Sequence, residues 1–217
     1  MLNLIFQEFL PAIKTILLYS LIPIIWWFFS DRDKNFFKWV GLKSIGKNIK
    51  EIIIWTISFF VITVISQIFI MPNILPEGIT AAQQYAGLGL SAFVPALFFG
   101  LTTGIGEELF FRGFLGKKLC RRYGFSKGNL IQALLFGLIH GIGFPIMIVL
   151  FNLSDKINIS NFRILTIGIS ATILGGFGGW ILGYVTEKSA NGSIIPAILI
   201  HGGGNFLLTM AEAFNLI

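Results

Sequence analysis

Six apolar runs, at about 9–29, 52–71, 88–111, 130–151, 164–185 and 194–213, dictate what this chain can fold into. Each approaches the roughly 20 residues that a helix needs to cross the hydrocarbon layer of a bilayer. Lipid offers the backbone no hydrogen bonds, so a spanning segment of this length closes its own as a helix. Only 12% of the 217 residues are charged, against roughly 25% in a soluble domain, and mean hydropathy is +0.83. The expected fold class is therefore all-α, a polytopic transmembrane helical bundle of about six spans. It divides into an N-terminal transmembrane region, 1–87, with two spans and their loops, and a transmembrane core, 88–213. Pro11, Lys14 and Pro23 predict a late start or a kink in the first span, and Pro95, Pro145 and Pro196 predict interruptions in three others. The small residues of LGGFGGWILG, 174–183, predict close helix packing.

Loop charge sets the orientation. Arg32, Lys34, Lys38, Lys43, Lys47 and Lys50 separate the first two runs, and Lys117, Lys118, Arg121, Arg122 and Lys127 separate the third and fourth. The loop 72–87 holds Glu77 and no basic residue. Asp155, Lys156 and Arg163 in one remaining loop, and Glu187 and Lys188 in the other, weigh little either way. The excess of basic residues predicts cytoplasmic loops at 30–51 and 112–129, with both termini extracytoplasmic in the cell membrane. That also accounts for the net charge of +6 without a nucleic-acid partner. Glu8, with no basic residue before Lys14, argues against a cleavable signal peptide. The single cysteine, Cys120, excludes an internal disulfide and is expected to be an inert thiol.

Against this background the stretch Gly106-Glu107-Glu108-Leu109-Phe110-Phe111-Arg112-Gly113 stands out. It ends a run, 88–105, with no other charge, and a charged side chain inside a membrane costs about 2.5–3.5 kcal/mol even on permissive scales. The only two histidines, His140 and His201, also lie in apolar runs, each followed by glycine. At about 1.5 Å per residue, Glu107 lies roughly 15 Å before Lys117, and each histidine roughly 20 Å beyond Lys127 or Lys188. Three helices thus deliver polar groups to a similar depth, which predicts one site in the cytoplasmic half, opening towards it.

Residues four apart share a helix face, so Glu108 pairs with Arg112 while Glu107 points about 100° away. Phe136 shares a face with His140, and His201 with Asn205. The set suits addition of water to a carbonyl: Glu107 and His140 activate the water, and His201 with Asn205 donates to the oxyanion. Glu107, His140 and His201 are also the residue types of a catalytic zinc site, although no H-E-x-x-H occurs; no cofactor is expected, with zinc the one alternative. His201-Gly202-Gly203-Gly204 is no serine-esterase loop, because the chain lacks a G-x-S-x-G turn.

At these residues the sequence resembles the CPBP family, the type II CAAX prenyl endopeptidases and their bacterial relatives, also called the Abi family. The family pattern, E-E-x-x-x-R then F-x-x-x-H then H-x-x-x-N on separate membrane helices, reads here Glu107-Glu108 with Arg112, Phe136 with His140, and His201 with Asn205. The resemblance covers about 88–210. It implies an intramembrane endopeptidase in which Glu107 and His140 activate water, His201 and Asn205 stabilise the oxyanion, and Glu108 with Arg112 supports the site. It also implies a membrane-associated peptide or protein substrate. The chain is shorter than eight-span members, so a bacterial role in peptide maturation or bacteriocin self-immunity is expected rather than prenyl-protein processing. Two other classes remain: a non-proteolytic membrane immunity protein that acts by binding, and a small proton-coupled transporter, since buried acids and histidines also relay protons.

Overall fold

The computed structural model describes residues 2–46, 48–74, 82–153 and 159–217; Lys47, Glu77, Asp155 and Lys156, used above to orient the chain, lie outside them. Among the described residues all regular structure is helical: α1 (Leu2–Ser30), α2 (Phe36–Val40), α3 (Ile49–Ile65), α4 (Met71–Ile74), α5 (Phe93–Leu101), α6 (Lys117–Tyr123), α7 (Phe125–Leu153), α8 (Asn161–Tyr184) and α9 (Ile195–Ala213). Five stretches are long and apolar enough to cross a membrane, namely Ala12–Ser30, Ile49–Ile74, Gly89–Tyr123, Phe125–Leu150 and Asn161–Ser189. The chain is a multi-pass membrane protein. The sixth expected span is α9, which His201, three glycines, Asn205 and Glu212 leave less apolar than the other five.

Several spans are longer than their apolar runs. The third continues to Tyr123, so Lys117, Lys118, Arg121 and Arg122 extend a helix as α6 instead of forming a loop. Helix α1 passes through Pro11 and Pro23 unbroken. Pro95 and Pro196 lie in the first turns of α5 and α9, where a missing N–H costs nothing, while Pro145, like Pro11 and Pro23, lies deep inside its helix.

The helix that carries Glu107 and Glu108 is wound as π-helix over Thr102–Glu107 and Leu109–Gly116, a form found mostly at functional sites. Neighbouring backbones press on it at three of its glycines. A Cβ on Gly100 would lie 2.5 Å from the Gly202 carbonyl oxygen of α9, one on Gly104 2.8 Å from that of Ile198, and one on Gly113 2.7 Å from that of Val40 in α2. On another face, Gly106 meets Ile16 and Tyr19 of α1. Helices α7 and α8 approach as closely, with a Cβ on Gly137 falling 2.3 Å from the Thr172 carbonyl oxygen. The glycines of 174–183 therefore serve packing, as the sequence suggested: Gly176 lies against Gly137, and Gly183 against Asn129.

Polar ties gather at the end of the bundle that carries the basic residues. Asn129 Nδ2 donates to the Trp180 carbonyl (3.1 Å) and Gln132 Nε2 to that of Gly179 (2.9 Å). Lys117 Nζ donates to the Gly192 carbonyl (2.7 Å) and Ser193 Oγ to that of Lys43 (2.7 Å). Tyr184 Oη donates to Glu51 Oε1 at 3.0 Å, joining α8 to α3. Gly41, with φ +96°, turns the chain so that its carbonyl accepts from Ile194 N (2.9 Å).

Candidate active site

Glu108 and Arg112 are almost fully buried, at 0% and 1% exposure. Arg112 Nη1 donates to Glu108 Oε1 at 2.8 Å, and the guanidinium lies over the Phe136 ring, 4.3 Å from its centroid. Pairing is the physical condition for keeping two such charges out of water. The same Glu108 oxygen takes a second bond, from His201 Nδ1 of α9 at 2.8 Å. Glu108 thereby couples the charged helix to α9, a link that spacing along one helix does not reveal.

Glu107 points away from this pair and faces α7, where His140 Nε2 lies 3.8 Å from its Oε2. That separation is too long for a direct hydrogen bond. Glu107 Oε2 is buried and has no hydrogen-bond partner among the described residues. The other ring nitrogen of His140, Nδ1, lies 2.9 Å from the Phe136 carbonyl oxygen. A carbonyl only accepts, so Nδ1 carries the proton and Nε2 is left towards Glu107. Phe136 stacks obliquely between the histidines, its ring centroid 4.4 Å from that of His140 and 5.9 Å from that of His201. Asn205, one turn beyond His201, donates through Nδ2 to Thr103 Oγ1 at 2.8 Å. Thr103 lies one turn before Glu107. It is a part of the site that the sequence did not single out, since a threonine in an apolar helix reads as an ordinary residue bonded to its own backbone, as Thr103 also is, to the Phe99 carbonyl at 3.1 Å.

The fold thus brings together all seven residues singled out from sequence. Glu107, Phe136, His140, His201, Asn205 and Thr103 line one cavity of about 470 Å³, whose other walls are mainly apolar. Helix α3 and the π-helical turn Ser66–Ile70 that continues it, outside the sequence motifs, supply one wall with Phe59, Ile62, Thr63, Ser66 and Gln67. The cavity does not extend towards the basic end, as depth alone suggested. It runs the other way, to Met71, Ile74, Ala82 and Phe144, because Arg112, Phe111 and Gln132 fill the basic side of the site.

Zinc fits this arrangement poorly. Among the described residues no three His, Cys, Asp or Glu side chains are placed to hold one ion. Glu107 and His201 belong to separate pairs, and His201 Nδ1 is engaged by Glu108.

Comparison with known families agrees with this geometry. The model of the type II CAAX prenyl endopeptidase Rce1-like family matches residues 89–207, more than half of the chain and the part that holds every motif residue. No curated protein and no solved structure matches. With three motifs on three helices converging on one cavity and the family model spanning them all, the chain belongs to the type II CAAX prenyl endopeptidase Rce1-like family.

Proposed function

We propose that the protein is an intramembrane endopeptidase of the cell membrane that hydrolyses peptide bonds of membrane-associated peptides or proteins with water activated by Glu107 and His140. The observation that carries this reading is the facing pair at 3.8 Å, inside a cavity whose remaining walls are mainly apolar. A water bonded at about 2.8 Å to both groups sits off the line that joins them, on the cavity side. It gives one hydrogen to Glu107 and the other to the unprotonated Nε2 of His140.

As the water oxygen attacks the scissile carbonyl carbon, its proton passes to the Glu107 carboxylate and an oxyanion forms. His201 and Asn205 are its donors. Because Glu108 accepts from His201 Nδ1, Nε2 donates only when the imidazole is protonated, with Glu108 as its counter-ion. The charges of Glu107, Glu108, Arg112 and this imidazolium then sum to zero, which suits a membrane interior. Asn205 retains a second amide hydrogen besides the one given to Thr103. When the intermediate collapses, the carbon–nitrogen bond breaks, Glu107 returns its proton to the leaving nitrogen, and a new carboxyl and a new amine end result. No step is routed through a metal.

The test compares membrane-associated peptides of the host by mass spectrometry between wild type and Glu107→Gln expressed at equal levels. A product that disappears with Glu107→Gln, and likewise with His140→Ala, is expected. Unchanged peptide profiles, with any protective phenotype retained, would instead favour an immunity protein that acts by binding, and proton-coupled flux stopped by Glu107→Gln without peptide cleavage would favour a transporter.

A further inference from the structure

Access to the site is asymmetric. On the basic side of Glu107 the bundle is filled. Arg112 and Gln132 are each 1% exposed, Phe111 1% and Thr186 0%, and Asn129 and Gln132 bond across to α8. On the other side the cavity follows the span Ile49–Ile74 from Phe59 to Met71, α7 from Phe136 to Phe144, and α9 from His201 to Leu208. All three runs lead to the end marked by Met71–Ile74 and Gln83–Tyr85, which flank a sequence stretch without basic residues. Here α5 packs on α1 and α9 while α7 packs on α8, so the helices bearing Glu107 and His140 diverge.

Among the described residues the walls carry polar but no charged side chains beyond the site: Thr63 of α3, Ser66 and Gln67 of the π-helical turn that follows it, and Ser170 of α8. Ser66 is 5% exposed, and its hydroxyl, like the side chains of Gln67 and Ser170, makes no hydrogen bond among the described residues. Apolar surface with scattered hydroxyl and amide groups suits an uncharged peptide segment, whose backbone offers donors and acceptors along its length. The volume lies within the range of about 300–1,000 Å³ typical of ligand pockets, so the segment held is only a few residues long.

We propose that substrate reaches Glu107 from the end of the bundle marked by Met71, Ile74 and Ala82, which the positive-inside rule makes extracytoplasmic. The substrate class is then an apolar, uncharged segment of a secreted or membrane-anchored peptide presented on the outer side of the membrane, and not a cytoplasmic tail. This deepens the protease reading and rests on it for the word substrate, while the direction of access rests on the cavity alone.

The test places single cysteines in the full-length Cys120→Ala protein and treats intact cells and inverted vesicles with a membrane-impermeant sulfonate methanethiosulfonate. Ser91→Cys reports the end marked by Met71–Ile74 and Ala82, and Arg32→Cys the basic end. Gln67→Cys and Ser170→Cys are expected to react from the same side as Ser91→Cys, in intact cells. They should react at least ~10-fold faster than lipid-facing Val64→Cys, whose thiol ionises poorly in apolar surroundings. Reaction from the Arg32→Cys side would overturn the proposal, as would reaction only with a membrane-permeant maleimide, which means access from lipid. Labelling of Ser91→Cys from the cytoplasm would overturn the extracytoplasmic assignment. None of these outcomes depends on peptide cleavage, so a failed protease assay leaves the access result standing.

Discussion

Glu107 and Glu108 are neighbours in sequence with different surroundings, and the difference comes from what each faces. Glu108 is enclosed by Arg112 and His201, each 2.8 Å away, whereas Glu107 has a histidine at 3.8 Å and open cavity beside it. Replacing Glu107 by Gln or His140 by Ala is expected to lower turnover by about 10²–10⁴-fold, the usual worth of a positioned acid or base, with the folded protein recovered in the same yield. Thr103 is a positioning residue that acts through Asn205. Thr103→Val should lower kcat by about 3- to 10-fold, the worth of one neutral hydrogen bond, and leave KM nearly unchanged. Thr103→Ser, which keeps the hydroxyl, should restore kcat. If it does not, the Asn205 contact is not what the residue contributes. The i, i+4 pair of Glu108 and Arg112 was legible in the sequence because one helix contains both partners. The bonds from His201 to Glu108 and from Asn205 to Thr103 were not, since they join residues 93 and 102 positions apart.

At the scale of helices, glycine decides which faces meet. The triplet after His201 divides its work: Gly202 lies against the backbone of Gly100 and Gly104, Gly204 against Phe59 and Phe60, and Gly203 against nothing within 4 Å. In the sequence the three are indistinguishable, and only packing separates them. Gly137→Ala puts a methyl group onto the Thr172 carbonyl and should cost about 1–3 kcal/mol, seen as a lower Tm in detergent, with His140 displaced and activity reduced. Gly203→Ala and Gly143→Ala, where nothing lies within 4 Å, are expected to stay within about 0.5 kcal/mol of wild type. A loss of stability at Gly203 equal to that at Gly137 would show that close approach is not the controlling variable. The π-helical winding from Thr102 to Gly116 was likewise hidden, because the same apolar and glycine residues are compatible with ordinary α-helix, and only neighbours pressed against it distinguish the two.

For the whole molecule, the family motifs lie in 89–207, yet the site is completed by what precedes them. Helix α3 lines the cavity, α2 meets Gly113 and α1 meets Gly106. A fragment of residues 88–217 is therefore expected to elute as aggregate in size-exclusion chromatography, and co-expression with 1–87 should recover some monodisperse protein. A monodisperse, active fragment would make the N-terminal region dispensable. By itself the sequence determined the all-helical membrane architecture, since apolar runs of this length leave the backbone no other solution in lipid. It also marked the charged and imidazole-bearing residues that the fold brings together, though not Thr103, because ionisable groups are too costly in a membrane to be kept there without partners. Tertiary structure alone decided that His201 is held by Glu108, that α3 walls the cavity, and towards which end the cavity runs. Those properties depend on which helix faces meet, and contacts between helices far apart in the chain leave no periodic signal in either one.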